Sequence, residues 1–190
     1  MIGDFTLVVK RLARLLDGAG IPYMVTGAHA VTVFGVPRAT TDVDVAVRTS
    51  RERVREALEG NGFALDESSV EYQDLLVFEA AEAIRVDVWF TTDAAGEAEA
   101  FGRRVRVDVE GDSLWFISPE DLLLRKLWRY RKEGSATDLE DARSILAVTT
   151  TLDTPYIERL AAVQRTLPLY QELVEQADAA AQRQRSTERR

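Results

Sequence analysis

The sequence predicts an α+β fold, with a mixed β-sheet in its N-terminal part and helices behind it. Two observations carry the prediction. Short apolar runs and period-two alternation, the marks of strands, are confined to residues before Ser118. From Ser118 onward the apolar spacing is helical throughout. The division that follows is an α/β core over 1–117 and a C-terminal helical region over 118–190 packed on the same domain, within the size one domain usually has.

The elements follow in order. Phe5, Val8, Val9, Leu12, Leu15 and Leu16 recur at helical spacing, and Gly18 and Gly20 stop the pattern. Pro22 leads into Tyr23-Met24-Val25, a short buried strand closed by Gly27, and Ala28 to Phe34 suits a helix ending at Gly35. Asp42 to Val47 alternates with period two and predicts a strand with one apolar face. Thr49 and Glu52 form a capping-box pattern for a helix through Leu58. Strands are expected near Leu75–Glu79 and Ile84–Phe90, and a hairpin joins Val105–Val109 to Leu114–Phe116 around Gly111-Asp112. Ser118-Pro119-Glu120-Asp121 is a helix start: a capping serine, proline in the first turn, then acids at the positive end of the dipole. Further helices begin near Thr137, near Thr154-Pro155 and at Pro168, and the polar stretch from Gln182 to Arg190 reads as frayed.

Composition narrows the function. The 46% hydrophobic and 29% charged fractions exclude wholesale disorder. No apolar run reaches the roughly 20 residues of a membrane-spanning helix, and the N-terminus lacks an export signal, so a cytoplasmic protein without membrane association is expected. The absence of cysteine excludes disulfides, thiol chemistry and Cys-ligated zinc, and His29 alone makes a histidine-rich metal site improbable. The net charge of −8 argues against nucleic-acid binding through global charge, though not against a local basic patch. Arg125, Lys126, Arg129, Arg131 and Lys132 concentrate positive charge, as do Arg103, Arg104 and Arg106. These runs read either as solvated faces or as contacts to an RNA backbone, and Trp115, Trp128 and Tyr130 read as core packing or as stacking platforms for a base.

One stretch carries chemistry. Asp42 and Asp44 are two apart on a strand and point to one side, while Val43, Val45 and Val47 face the core. Asp87 sits in a similar frame, opposite the apolar face of Ile84, Val86, Val88 and Phe90. Three such acids on neighbouring strands repel unless compensated, and they could hold two divalent metals for in-line phosphoryl displacement. Mg²⁺ is the natural ion, since it prefers carboxylate oxygens and substrate phosphates. Gly27, between a strand and a helix N-terminus, presents backbone N–H groups to an anion, and a triphosphate tail is the natural occupant. Alternation alone also produces Asp-x-Asp on an edge strand, so the order and spacing of the three acids carry the argument.

Gly27-Ala28-x-Ala30, Gly35, Arg38-x-Thr40-x-Asp42-Val43-Asp44 and the later Val86-Asp87-Val88 resemble the DNA polymerase β-type nucleotidyltransferase superfamily, and within it the AbiEii/MenT toxin-like group. A second block supports this: Ile117 to Leu127, followed by Asp138-Leu139-Glu140-Asp141-Ala142. The resemblance implies a nucleotidyltransferase-type mixed sheet flanked by helices, with a C-terminal helical bundle. It implies that Asp42 and Asp44 bind both magnesium ions, that Asp87 holds the catalytic metal and helps activate the acceptor hydroxyl, and that Gly27 and Ala28 lie at the nucleotide. It also implies a role for Lys126 on nucleotide phosphates and for Asp138 in the second block. Two departures stand out. Gly27-Ala28 replaces the usual Gly-Gly or Gly-Ser, and the longer stretch between Lys126 and Asp138 leaves Asp141 as an alternative to Asp138. Arg38 could pair with phosphate or neutralise Asp42. A phosphate placed on Thr40 would set charge beside Asp42 and Asp44 and block entry of metal or nucleotide. His29 reads as structural.

The resulting expectation is transfer of a nucleoside monophosphate from an NTP to an acceptor. The tRNA 3′ end ranks first, as for the toxin of a toxin–antitoxin pair with a kinase-like or other antitoxin as partner. A small antibiotic, aminoglycoside or lincosamide, is the runner-up acceptor, and a non-catalytic nucleotide- or partner-binding module is the rival from another class.

Overall fold

The structure is a computed structural model that describes residues 2–66, 74–79, 84–91 and 95–188. Its elements run α1 (Ile2–Gly18), β1 (Tyr23–Val25), α2 (Gly27–Phe34), β2 (Asp42–Val47), α3 (Arg51–Leu58), β3 (Phe63–Asp66), β4 (Asp74–Glu79), β5 (Ile84–Phe90), α4 (Ala95–Gly102), β6 (Val105–Val109), β7 (Asp112–Phe116), α5 (Pro119–Glu133), α6 (Ala136–Val148), α7 (Thr154–Val163) and α8 (Leu167–Glu188). The expected mixed α and β architecture is present, with all strands before Ser118 and all later elements helical. Two compact units make up the chain: Met1–Ala30 with Arg38–Ser118, and Val31–Pro37 with Pro119–Arg190.

The first unit holds a seven-stranded mixed sheet in the order β3-β4-β5-β2-β1-β7-β6. β2 lies antiparallel to β1 and parallel to β5, so the Asp-x-Asp strand sits at the sheet's centre. Its core residues follow from the alternation: Val43, Val45, Val47, Val86 and Val88 are all almost fully buried. Helix α1 packs Val8, Val9, Leu12 and Leu16 against β1 and β7 along one face, as helical spacing requires.

In the second unit α5 packs on α6 and α7, and α8 on α6 and α7. Leu122, Leu123, Leu124 and Leu127 of α5 and Ile145 of α6 are buried at its centre. The C-terminal end of α2 is fastened here. Thr149 Oγ1 donates to the Phe34 carbonyl at 2.8 Å, and a Cβ on Gly35 would come within 2.5 Å of Ser144 Oγ.

Several boundaries differ from expectation. The N-cap of α3 is Ser50, whose hydroxyl accepts from the Arg53 N–H, and not Thr49. The hairpin turns on Glu110-Gly111, so β7 begins at Asp112. Helix α8 continues to Glu188, past Gln182 where polarity predicted fraying. The pattern had shown neither β3 nor α4.

Candidate functional site

The geometry of the first unit brings Asp42, Asp44 and Asp87 onto one face of two neighbouring parallel strands. In register, Asp44 lies beside Asp87 and Asp42 beside Arg85. Asp42 and Asp44 are half-buried, whereas Asp87 is 6% exposed. Among the described residues no three carboxylates or histidines stand close enough together to form a ready-made cage for one ion. On β5, Asp87 is turned to Arg85, which donates from Nε to Oδ1 at 2.7 Å and from Nη2 to Oδ2 at 2.8 Å. A fork of this kind is the strong form of a carboxylate pair. The hydrogen bond to Asp87 chiefly pushes the Arg85 guanidinium above its already high range; burial opposes it, and the charges of Asp87, Asp42 and Asp44 add to the rise.

The other two acids are also held in place. Thr40 Oγ1 donates to Asp42 Oδ1 at 2.7 Å. Trp89 Nε1 donates to Asp44 Oδ1 at 3.3 Å. Arg85 and Trp89 stand two residues either side of Asp87, on the same strand face. Sequence reasoning had not singled them out, although the alternation that located Asp87 applies to them equally.

The turn before α2 abuts these acids. The Thr26 N–H donates to the Asp44 carbonyl at 2.9 Å, and Gly27 follows with a φ of +62°. A Cβ on Gly27 would lie 1.8 Å from Asp44 Oδ2 and 2.8 Å from Asp44 Cβ, so only glycine fits. Ala28 turns its methyl inward and is 3% exposed. The buried Thr26 hydroxyl has no hydrogen-bond partner. His29 hydrogen-bonds the Asp42 backbone and stacks at a tilt near Phe5, with ring centroids 5.7 Å apart. Burial lowers its pKa, which the Asp42 contact only partly offsets. Its Nε2 is buried without a hydrogen-bond partner. Arg38 is exposed and donates to the Ala39 carbonyl at 3.2 Å.

The second block lies in the other unit. Lys126 on α5 is 5% exposed, and its Nζ lies 2.8 Å from both Asp138 Oδ1 and Asp141 Oδ2 on α6. Arg129 Nε is 3.5 Å from Asp138 Oδ2. Asp138 and Asp141 therefore share the lysine, where the sequence had offered them as alternatives. The long lysine stem lies on the apolar face as helical spacing suggests, and its charge ends on two carboxylates. In the first turn of α5, Asp121 accepts from the Tyr156 hydroxyl at 2.6 Å, and Glu120 accepts from the Asp153 N–H at 3.1 Å.

The basic runs are differently placed. Arg104 and Arg106 both sit over the Trp115 ring, at 4.4 Å from its centroid. On α5, Trp128 is 39% exposed, with Lys132 4.8 Å from its centroid. Among the described residues no helix is long and apolar enough to cross a membrane.

Comparison with known proteins bears on the fold and the family. No curated protein matches the sequence. Solved structures share the fold. An antigenic nucleotidyltransferase-like protein from Paracoccidioides brasiliensis is 17% identical with a TM-score of 0.60, over 90% of this chain and 91% of that one. The enzyme ANT(2″)-Ia in complex with adenylyl-2″-tobramycin is 18% identical with a TM-score of 0.64, over 86% and 98% of the two chains. MenT4, a nucleotidyltransferase toxin from Mycobacterium tuberculosis H37Rv, is 20% identical with a TM-score of 0.52, over 82% of this chain and 61% of its own. A family model described as nucleotidyl transferase of unknown function (DUF2204) matches residues 6–177. The chain belongs to that family and is a nucleotidyltransferase, an enzyme that takes the group it transfers from a nucleoside triphosphate.

Proposed function

We propose that the protein transfers a nucleoside monophosphate from an NTP to a hydroxyl of its acceptor, with pyrophosphate as the leaving group, at the face formed by Gly27, Asp42, Asp44 and Asp87. The observation that carries this reading is the contact of Asp44 with Gly27, which sets a carboxylate against the glycine turn at the N-terminus of α2. The donor set suits magnesium. Asp42 and Asp44 offer hard oxygens from one strand face, and Mg²⁺ is commonly held by one or two carboxylates together with substrate phosphates. Bound there, magnesium would neutralise triphosphate charge and stabilise the charge that develops during displacement.

The chain's own residues do the rest. The backbone N–H groups at Gly27 and Ala28 receive phosphate oxygens at the positive end of the helix. Thr40 and Trp89 fix the carboxylates of Asp42 and Asp44. Asp87, once released by Arg85, would complete the set of carboxylates that holds the metal, and its carboxylate accepts the proton of the attacking hydroxyl. Arg38, exposed in the loop before β2, is assigned to incoming phosphate. Phosphorylation of Thr40 would take the hydroxyl from Asp42 and place negative charge beside it, closing the site. Lys126 is bound by two acids, and this reading assigns Lys126, Asp138 and Asp141 to holding the second block together.

For the acceptor, the first reading is the tRNA 3′ end, with the protein acting as a toxin paired with an antitoxin. The likeness to MenT4, a nucleotidyltransferase toxin, supports the toxin role, and Trp128, an exposed aromatic beside Lys132 on a helix that also carries Arg125, Arg129 and Arg131, supports an RNA acceptor. A second reading is a cationic antibiotic. Alignment with nearly the whole of ANT(2″)-Ia and a net charge of −8 favour it.

Each α-labelled NTP, supplied with magnesium and either total tRNA or an aminoglycoside, separates the readings. Label in tRNA that falls with Trp128→Ala supports the first, and label in the aminoglycoside the second. Label in neither, or transfer that survives Asp44→Asn, refutes the assignment of the site.

A further inference from the structure

Strand β6 ends the sheet: β7 is its neighbour on one side, and no described strand pairs with the other. Its hairpin turns on two residues with positive φ, Glu110 at 51° and Gly111 at 85°, the signature of a two-residue type I′ turn. In such a hairpin the residues flanking the turn exchange both backbone hydrogen bonds, and the pattern alternates from there. Val109, opposite Asp112, therefore bonds to β7, as do Val107 and Val105. The N–H and C=O groups of Arg106 and Asp108 point away from the sheet along the open edge, and both residues are exposed.

The sequence around this edge is Arg104-Val105-Arg106-Val107-Asp108-Val109-Glu110. It is complementary to itself when reversed about Val107, the midpoint of the strand. A second copy laid antiparallel with its Val107 on the two-fold axis sets Arg106 opposite Asp108, Asp108 opposite Arg106, and valine opposite valine at all three remaining positions. Just outside the strand it sets Arg104 opposite Glu110. The same register brings the outward backbone groups of Arg106 onto those of Asp108 in the partner copy, as the ladder requires. Registers centred on position 106 or 108 also satisfy the ladder, but they oppose like charges at their centres. Val105, Val107 and Val109 share the strand face of the buried Leu114 and Phe116, and the charged pairs share the other.

We propose that the protein forms a two-fold dimer through antiparallel pairing of β6 with β6 of a second copy, registered on Val107. Charged residues on an edge ordinarily prevent pairing, and they do so by repelling. Here both signs are present in the order that attracts across a two-fold axis and repels in the neighbouring registers, and pairing turns Arg106 from Trp115 and the Ser113 carbonyl and Asp108 from the Gly111 N–H onto the partner copy. Five residues a side make a small interface, so the dimer is in equilibrium with monomer at roughly micromolar concentration.

The test is sedimentation equilibrium on the full chain, with charge reversals at the edge. Wild-type protein is expected to move from the 21.2 kDa chain mass toward twice that value as concentration rises. Arg106→Asp alone and Asp108→Arg alone each set like charges across the axis and should be monomeric. An equimolar mixture of the two restores opposite charges at every pair and should recover the dimer. An independent measurement needs no variant: amide exchange at Arg106 and Asp108 should slow as wild-type concentration rises. Three results overturn the proposal. They are a wild type monomeric to about several hundred micromolar, a dimer that survives both reversals, and amides at Arg106 and Asp108 whose exchange is independent of concentration.

Discussion

Gly27→Ala tests the central contact of the site, and the protein supplies its own control. Gly20 and Gly27 share a φ of +62°, but a Cβ on Gly20 meets nothing within 4 Å, whereas one on Gly27 lies 1.8 Å from Asp44 Oδ2. Gly20→Ala therefore carries only the strain of an L-residue in the left-handed region, about 1 kcal/mol. Gly27→Ala carries that strain and must also push the Asp44 carboxylate away by more than about 1 Å, an overpacking cost of about 1–3 kcal/mol. The total is about 2–4 kcal/mol. For a chain of this length that lowers the melting temperature by about 4–16 °C, against about 2–4 °C for Gly20→Ala. Displacing Asp44 also strains its bond to Trp89 and moves a proposed metal ligand, and a misplacement of this size costs roughly 10²-fold in rate. Thermal melts of both variants and labelled-NTP transfer provide the two readings. Equal melting losses in the two alanine variants, or full transfer by Gly27→Ala, would refute the reasoning.

Arg85→Gln leaves Asp87 without its forked partner, so the melting temperature should fall without metal and be raised by millimolar magnesium more than that of wild type. Equal magnesium shifts, read by scanning fluorimetry, count against Arg85 as the competitor for Asp87. Lys126→Met removes the cation that Asp138 and Asp141 share in a buried place, although Arg129 remains 3.5 Å from Asp138, and urea unfolding should report a loss of about 3–5 kcal/mol. A loss below about 1 kcal/mol, the range of exposed pairs, shows the cluster to be unimportant to stability. Burial chiefly pushes the Tyr23 phenol up to about 12. An unfolded tyrosine ionises near 10 and the folded one later, so stability is complete below about pH 10 and declines as pH rises from there toward 12, by a few kcal/mol at most. Tyr23→Phe should flatten that decline, and an unchanged slope in urea titrations would assign it elsewhere.

The fold was legible where one local rule dominates. Strands β2 and β5 were located end to end because both alternate strictly, with buried valines on one side. Helix α5 announced its start through Ser118-Pro119 because a first-turn proline is compatible with few alternatives. The failures have local causes. Phe63–Asp66 is too short for a period to show, and it becomes a strand by pairing with β4. Ala95–Gly102 is nearly uniform in small and acidic residues and has little amphipathic pattern, while the side chain that fixes it, Phe101, is identified only by its burial. Thr49 and Ser50 are chemically equivalent caps, and the choice between them rests on backbone angles, with Ser50 extended at a φ of −81° and ψ of 158°.

The candidate site divides along the same line. Period two places Asp42, Asp44 and Asp87 on one side of their strands, and a glycine before a helix marks the turn beside them, so the residue types and their faces are readable in one dimension. How those groups are paired is not. Arg85 stands in sequence as one more exposed strand residue. Only the rotamer that turns its guanidinium onto Asp87 makes it the cation that compensates the third acid. Lys126 shows the complementary case: its position on the helix was readable, but its partners lie a loop away, and one lysine satisfies both Asp138 and Asp141. In both places a buried carboxylate is already matched by a side chain of the same protein. Like charges this close demand compensation, and an acid triad in a sequence therefore locates the demand without naming what meets it. Arg85 meets it at Asp87 here, and the proposed magnesium can recruit that acid only by displacing the arginine.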